Sequence, residues 1–212
     1  MSAGSGSETA STVFIVDDDD AICDGLCNLL ESVGITAERF GSAEAFITRS
    51  QEDRPGCLLL DARLPGMTGV EFQERLIQSG IRIPIIFMTA HGDVPLVRKV
   101  MKAGAVEFLT KPFEKEELLA AIRQAFEMDS AQRRERLELS VIQSRLDLLT
   151  PREREVMSLV TSGLLNKQIA AELKLSEITV KLHRRHVLDK MQAESLANLV
   201  KMAERIRTAR AE

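Results

Sequence analysis

Short apolar runs alternate with helical apolar patterns along residues 12–128. An unbroken apolar run is typical of a strand that is buried on both faces of a parallel sheet, and apolar residues at every third or fourth position indicate an amphipathic helix. The predicted strands lie at 13–16, 35–40, 57–61, 83–89 and 106–110. The predicted helices lie at 21–32, 43–50, 70–79, 94–103 and 114–127. This alternation predicts a doubly wound α/β fold with a five-stranded parallel sheet.

Residue types at the ends of these segments support the helix assignments. Thr68 and Glu71 form a capping-box pattern before the third helix, and Asp93 followed by Pro95 is a start signal for the fourth. Glycine ends many helices, and it follows three of these segments, as Gly34, Gly80 and Gly104.

A second, all-α domain is predicted after a helical linker. Residues 129–147 are highly charged and contain neither Gly nor Pro, so we expect an extended helix there. Thr150, Pro151 and Glu153 then supply the N-cap, N1 and N3 signals of a new helix. Four helices are predicted, at 152–162, 166–173, 177–191 and 195–209. The predicted divisions are a domain at 12–128, the linker at 129–147 and a second domain at 148–212.

The distribution of charge separates the two predicted domains. Residues 1–149 carry 16 Lys and Arg against 24 Asp and Glu, whereas residues 150–212 carry 12 against 8. An acidic front and a basic back predict different partners, with nucleic acid favoured for the second domain. The overall composition, 44% apolar and 28% charged, is that of an ordinary globular protein.

The remaining composition signals concern compartment and metal. No apolar run is long enough for a membrane span and the first residues lack a signal-peptide pattern, so we expect a cytoplasmic protein without a membrane partner. Three cysteines without close pairs favour a reducing compartment, and Cys23 and Cys27 are interpreted as small buried apolar side chains. A metal site at His183 and His186 is rejected, because no further Cys or His lies nearby in the chain.

Polar residues follow four of the five predicted strands, at their carboxyl ends. Asp17 and Asp18 follow the first, Asp61 ends the third, Thr89 ends the fourth, and Lys111 follows the fifth. Ligands of open α/β sheets bind at this edge. A solvated, helix-capping loop is the other interpretation of the stretch FIVDDDDA, but the convergence of four strand ends favours a site.

This set of residues suits phosphoryl transfer. Three carboxylates at one edge repel each other, and a divalent cation such as Mg²⁺ relieves the repulsion through oxygen ligands. Asp61 offers a carboxylate nucleophile, while Lys111 and Thr89 offer a cation and a hydroxyl donor for phosphoryl oxygens.

The motifs VDDDDA, LLLDARLPGMTG, MTAHGD and FLTKPF together resemble the receiver domain of two-component response regulators, a flavodoxin-like fold, over residues 12–128. The resemblance implies that Asp61 is the phosphoacceptor and that Mg²⁺ is held by the carboxylates of Asp18 and Asp61 and the backbone carbonyl of Arg63. It further implies an acidic-pocket role for Asp17, phosphoryl contacts for Thr89 and Lys111, a switch formed by Thr89 and Phe108, and a cis Lys111–Pro112 bond. Asp19 and Asp20 receive no such role and are interpreted as solvated, helix-capping residues.

Two other acidic-site families fit less well. A haloacid-dehalogenase-like phosphatase also begins with an Asp-x-Asp strand end, but Ala21 stands where its pattern has Thr or Val, and the acidic pair expected after the lysine is missing. A calcium loop that starts at Asp17 has Ile22 in place of Gly and Asn28 in place of Glu.

The segment 165–185 follows a helix–turn–helix pattern. Ile169, Ala170 and Leu173 form the predicted apolar face of its first helix, and Val180, Val187 and Met191 that of its second. The opposite face of the second helix combines cations with aliphatic side chains, which suits a DNA major groove, although a solvated helix face is the simpler alternative: Ile178, Lys181, Leu182 and Arg185.

The stretches TPREREVMSLVTSGLLNKQIA and LSEITVKLHRRHVLDKM resemble the LuxR-type helix-turn-helix, with the motif from Leu165 to Arg184. By this resemblance Lys181, Leu182 and Arg185 face bases. The implied phosphate contacts are Lys167, Thr179, His183 and Arg184. Autoinducer-binding relatives carry a ligand cavity at the front, which a chain without Trp or Tyr fits poorly.

The whole chain thus resembles a FixJ-like response regulator. The resemblance implies that a sensor histidine kinase phosphorylates Asp61, that homodimers form through the surface around Val97, Arg98, Met101 and Phe108, and that the dimers bind double-stranded DNA to control transcription. We expect no enzymatic turnover, since the product is the modified protein itself. The alternative is a DNA-binding or interaction module with a silent receiver.

Overall fold

A computed structural model describes residues 11–49, 54–90 and 94–209, and the chain divides into two units, Met1–Gln132 (unit 1) and Arg133–Glu212 (unit 2). The strands of unit 1 are Thr12–Val16 (β1), Thr36–Phe40 (β2), Gly56–Asp61 (β3), Arg63–Leu64 (β4), Met67–Thr68 (β5), Ile85–Thr89 (β6) and Glu107–Thr110 (β7). Its helices are Asp20–Glu31 (α1), Ala43–Arg49 (α2), Gly69–Gln78 (α3) and Val94–Lys102 (α4). Helix α5, Lys115–Asp147, contributes residues to both units.

Five parallel strands form the sheet of unit 1 in the order β2-β1-β3-β6-β7, which confirms the predicted doubly wound fold. The register pairs Val16 with Leu60, so that the chain leaves β1 and β3 side by side. Thr89 of β6 pairs with Thr110 of β7 in the same way. The residues that follow these strands therefore gather at one edge.

The sheet is buried on both faces, as its unbroken apolar strands predict. Successive side chains of a strand point to opposite faces. In β3, Leu58 and Leu60 belong to one apolar cluster, whereas Cys57 and Leu59 belong to the other. Cys23 lies buried in the second cluster, which confirms its interpretation as a small buried apolar side chain, whereas Cys27 packs against the cluster and is only partly buried. All three cysteines are free thiols.

Several local signals act as predicted. Asp19 is the N-cap of α1 and accepts hydrogen bonds from the amides of Ala21 and Ile22 at 2.9 and 3.3 Å. The capping box of Thr68 and Glu71 is formed at the start of α3. Asp93, predicted to open the fourth helix, lies outside the described residues.

The structure departs from the predicted elements in two places. The fifth helix of unit 1 and the predicted linker helix form one continuous α5, because residues 115–147 contain neither Gly nor Pro to end it. A two-stranded antiparallel hairpin, β4–β5, was not predicted, and it turns through Pro65 and Gly66, whose φ of 78° suits glycine. Two-residue strands are too short to show a period in the sequence.

Unit 2 continues with Pro151–Thr161 (α6), Asn166–Leu173 (α7), Glu177–Met191 (α8) and Leu196–Ala209 (α9), which confirms the four predicted helices within one residue at each end. Thr150 and Glu153 form the predicted capping box. Val180, Val187 and Met191 of α8 are buried, as predicted. Between α7 and α8, Lys174 adopts a left-handed conformation and Ser176 caps α8, which forms the turn of the helix–turn–helix. Among the described residues, no helix has the length and apolarity that a membrane crossing requires.

Candidate functional site

The carboxyl ends of β1, β3 and β7 form an acidic pocket around one lysine. The Lys111 ammonium donates hydrogen bonds to Asp17 Oδ2 at 2.6 Å and to Asp61 Oδ1 at 2.8 Å. These residues are 94 and 50 positions away from Lys111 in the chain, so only the parallel sheet brings them together. Asp17 is 3% exposed, and the Asp61 side chain is 13% exposed.

Backbone amides donate hydrogen bonds to the second carboxylate oxygen of Asp17 and of Asp61. Asp17 Oδ1 accepts from the amide of Asp19 at 3.0 Å, and Asp61 Oδ2 accepts from the amide of Arg63 at 2.7 Å. Hydrogen bonds of this kind orient the carboxylate. Asp61 is therefore held as an aligned, partly accessible carboxylate at the tip of a buried strand.

The pocket contains more negative than positive charge. Burial acts to lower the pKa of Lys111, but its hydrogen bonds to Asp17 and Asp61 outweigh this effect and raise the pKa above the ordinary value. Asp18, which directly follows Asp17 in the chain, is exposed. The pocket itself has one ammonium against two carboxylates, and carboxylate oxygens are the donor atoms that a divalent cation of the Mg²⁺ type prefers.

Thr89 and Phe108 lie in the strands next to Asp61. Thr89 is buried at the end of β6, and its carbonyl oxygen accepts a hydrogen bond from the Lys111 amide at 2.6 Å. Phe108 of β7 pairs with Phe87 of β6 and is half-buried against the apolar cluster. The Lys111–Pro112 peptide bond is cis, as the resemblance implies.

The helix–turn–helix presents a basic and apolar face on α8. Lys181 and Arg185 are exposed, as are Ile178 and Leu182 at 80% and 52%. The predicted rotation of α8 is confirmed, because its other face is buried in the core of unit 2. Lys167 of α7 is also exposed. These side chains form an exposed basic and apolar surface on the helix–turn–helix.

Three other residues predicted to contact DNA are engaged within unit 2 or partly covered. The Arg184 guanidinium donates to Asn166 Oδ1 at 2.6 Å, which links α8 to the start of α7. The Thr179 hydroxyl lies 2.8 Å from that of Ser176. Nδ1 of His183 is buried. The link between Arg184 and Asn166 was not predictable from the sequence, since both residues have the character of surface polar groups.

A buried carboxylate organises the opposite side of α8. Glu153 of α6 is 3% exposed, and its Oε2 accepts from the Lys190 ammonium at 2.6 Å and from the Thr150 amide at 2.8 Å. Burial acts to raise the pKa of Glu153, but these hydrogen bonds outweigh it and lower the pKa to about 2. The sequence predicted the capping role alone; the contact with Lys190 depends on the packing of α6 against α8.

A five-stranded parallel sheet with a lysine between two aspartates at its carboxyl edge, joined to a helix–turn–helix with an exposed basic face, defines a two-domain regulator of the receiver class. Family models agree with both parts. Residues 13–123 match the response regulator receiver domain, and residues 147–203 match the bacterial regulatory proteins of the luxR family.

Individual relatives match almost the whole chain. Nodulation protein W of Bradyrhizobium diazoefficiens is 47% identical over 92% of this chain and 86% of its own length. The transcriptional regulatory protein FixJ of Rhizobium meliloti is 43% identical over 92% of this chain and 96% of its own. The solved structure of the response regulator StyR is 46% identical, with a TM-score of 0.78 over 92% of this chain and 98% of that chain. The chain belongs to the two-component response regulators that carry a LuxR-type output domain, a family of transcriptional regulators.

Proposed function

We propose that this protein receives a phosphoryl group on Asp61 from a sensor histidine kinase and then controls transcription by binding double-stranded DNA as a homodimer. The observation that carries the proposal is the Lys111 ammonium between Asp17 and Asp61, at 2.6 and 2.8 Å. In the transfer, the P–N bond of the kinase phosphohistidine breaks, and a P–O bond to an Asp61 carboxylate oxygen forms. The imidazole keeps the electron pair, as a carboxylate nucleophile requires.

Asp18, Asp61 and the backbone carbonyl of Arg63 are the proposed Mg²⁺ ligands, with Asp17 in support. When bound, the ion neutralises negative charge on the phosphoryl oxygens. The excess of carboxylates over ammonium groups in the pocket supports this assignment, since a site with two carboxylates and one lysine remains anionic.

Lys111 and Thr89 are the proposed partners of the phosphoryl oxygens. Lys111 already donates to Asp61 Oδ1, so its ammonium stands next to the atom that changes charge on phosphorylation. The Thr89 hydroxyl is the proposed second donor, and Phe108 is proposed to turn inward as Thr89 moves. The half-buried position of Phe108 beside the core supports a residue with two packing arrangements.

The homodimer is proposed to form through the surface of α4 and β7 around Val97, Arg98, Met101 and Phe108. Met101 is 40% exposed and Arg98 is exposed, so this surface offers apolar and charged contacts together. Two copies related by a two-fold axis then present two α8 helices to a two-fold related DNA site.

On the DNA, Lys181, Leu182 and Arg185 are the proposed base contacts, and their exposure on α8 supports this. The proposed phosphate contacts are Lys167, Thr179, His183 and Arg184. Phosphate contacts set affinity and salt dependence, while base contacts set sequence choice. A DNA target places the protein in the cytoplasm, and we propose no enzymatic turnover beyond its own modification.

Intact mass spectrometry tests the first step. The full chain is incubated with Mg²⁺ and a small acyl-phosphate donor, beside Asp61→Asn and the control Asp24→Asn. Asp24 is an exposed carboxylate that pairs with Arg39 at 2.7 Å, outside the pocket. We expect one added phosphoryl group in the wild type and in Asp24→Asn, and none in Asp61→Asn or with chelator. An unmodified wild type would leave unit 1 as a silent interaction module.

The second step is tested on the modified protein. We expect phosphorylation to increase self-association in analytical ultracentrifugation and to increase affinity for a DNA site selected from a random pool. Alanine at Met101 would weaken self-association without removing the phosphoryl group. If the modified and unmodified proteins had equal affinity and equal mass in solution, the proposed coupling would be wrong.

A further inference from the structure

A group of potential metal ligands lies in unit 2, away from the acidic pocket. Glu153 of α6 and His183 and His186 of α8 each offer a ligand atom, and these three atoms all lie within 4.8 Å of one another. From the sequence, a metal site at the two histidines was rejected, because no further Cys or His lies nearby in the chain. The packing of α6 against α8 supplies a third ligand from 30 residues upstream.

The orientation of the three side chains leaves ligand atoms available. His183 and His186 are three residues apart on α8 and so share a face. Oε2 of Glu153 accepts from Lys190 and Thr150, whereas Oε1 lies 3.5 Å from His186 Nδ1.

An ion pair between Glu153 and a protonated His186 accounts for only part of this arrangement. The 3.5 Å distance is at the limit of a hydrogen bond. Nδ1 of His183 is buried and has no hydrogen-bond partner among the described residues, and an unpartnered buried nitrogen is rare in folded proteins. A ligand that binds one atom from each of the three side chains would account for the whole arrangement.

We propose that Glu153, His183 and His186 bind a divalent transition-metal ion, with Zn²⁺ as the best match. Two imidazoles and one carboxylate with a water in the fourth position are a common tetrahedral set for this ion. The metal joins α6 to α8, the helix that presents the proposed DNA contacts. Metal-bound His183 is then unavailable as a phosphate contact. The positive charge of Lys190, 2.6 Å from Glu153, opposes the ion and keeps the site weaker than a closed structural one.

The test uses the full chain and Zn²⁺ alone as the probe, with millimolar Mg²⁺ in every sample to compete for the acidic pocket. Binding is followed by isothermal titration calorimetry and by the histidine ring signals in NMR. The variant is His186→Gln, because the His186 side chain is 46% exposed and tolerates substitution. The matched control is His91→Gln, at the remaining histidine of the chain, which lies outside the described residues. Far-UV circular dichroism checks that both variants fold.

We expect one Zn²⁺ per wild-type chain, with shifts in the ring signals of His183 and His186. We expect His186→Gln to lose about 10-fold or more in affinity and His91→Gln to keep it. Zn²⁺ should also raise the melting temperature of the wild type and not that of His186→Gln, since it binds only the folded site. Unshifted His183 and His186 signals, or equal affinity in His186→Gln, would overturn the proposal.

A second variant is expected to change the Zn²⁺ affinity in the opposite direction. Lys190→Gln removes the ammonium that competes for Glu153, so we expect it to bind Zn²⁺ more tightly than the wild type. Adventitious binding elsewhere on the chain would not respond to Lys190. Weaker or unchanged affinity in Lys190→Gln would contradict the proposed role of Glu153 as a ligand.

Discussion

Each unit of the molecule contains a cluster of charges around one central group, a cation in unit 1 and an anion in unit 2. In unit 1, the partly buried Lys111 ammonium bridges Asp17 and Asp61, and the exposed Asp18 directly follows Asp17 in the chain. In unit 2, one oxygen of the Glu153 carboxylate accepts hydrogen bonds from the Lys190 ammonium and the Thr150 amide. The other oxygen lies 3.5 Å from the His186 imidazole. The first arrangement has too few cations for its carboxylates, whereas the second has more than enough donors for its single carboxylate.

The difference separates a pocket with excess negative charge from a carboxylate whose donors stabilise the packing of α6 and α8. Carboxylates in excess of their cations repel each other, and the removal of one stabilises a folded chain while it removes the function. A buried carboxylate that accepts hydrogen bonds from an ammonium and an amide has the opposite property, because its removal leaves these donors without a partner. Substitutions in the two units should therefore change stability in opposite directions.

The largest expected change in stability comes from Glu153→Gln. The amide keeps the size of the side chain but removes the charge that Lys190 and the Thr150 amide bind, so we expect a loss of about 2 kcal/mol in the free energy of unfolding. Urea denaturation followed by circular dichroism measures it. Glu155→Gln is the matched control on the same helix, since Glu155 is 53% exposed and pairs with Arg152 on the surface. We expect about 0.5 kcal/mol or less there. Equal losses in both variants would mean that the contacts of Glu153 with Lys190 and Thr150 contribute no more to stability than a surface ion pair.

The pH dependence of the unfolding free energy tests the same contacts of Glu153. The pKa of Glu153 falls from 4.5 to about 2 in the folded protein. Above pH 4.5 the carboxylate is ionised in both the folded and the unfolded chain, and its contribution to stability is fully present. As the pH falls toward 2, the unfolded chain takes up the proton first and the contribution is lost. We therefore expect the difference in stability between wild type and Glu153→Gln to shrink from pH 4.5 downward; a constant difference would contradict the lowered pKa.

In unit 1 we expect the opposite effect on stability. Asp18→Asn removes an exposed carboxylate that directly follows the Asp17 carboxylate in a region of net negative charge, so we expect a rise of about 2 °C in melting temperature without Mg²⁺. We also expect a smaller response to added Mg²⁺ than in the wild type. Asp20→Asn is the control: Asp20 begins α1 and pairs with Arg39 at 3.5 Å, so its loss should slightly lower the melting temperature. A destabilised Asp18→Asn would show that the pocket carries no net repulsion.

The smallest expected effect concerns the exposed basic face of unit 2. Lys167→Ala should weaken DNA binding to all sequences alike and reduce the slope of log affinity against log salt by about 1. Fluorescence anisotropy at several salt concentrations measures this slope. Lys201→Ala, an exposed lysine on α9, is the control and should leave it unchanged. Equal effects from both lysines would indicate diffuse attraction by the whole domain instead of a defined contact.

Sequence reasoning located the acidic pocket because parallel strands bring their carboxyl ends to one edge. Asp17, Asp61 and Lys111 each follow an apolar run, so the rule that joins them needs no knowledge of tertiary distance. The helix starts at Asp19, Thr68 and Thr150 were likewise predictable, because a cap involves residues within one turn. The β4–β5 hairpin was missed, since its strands are too short for a periodic pattern.

The sequence alone thus determined the features that depend on residues close together in the chain. These are the alternation of strands and helices, the caps, the buried face of α8 and the residue types at the strand ends. Tertiary structure decided every contact that joins distant segments. It placed Glu153 against Lys190 and His186, joined Arg184 to Asn166, and set Lys111 within 2.8 Å of Asp61. The physical reason is that the partner of a buried charge is selected by the packing of whole elements, and their relative position is not encoded in the neighbourhood of either residue.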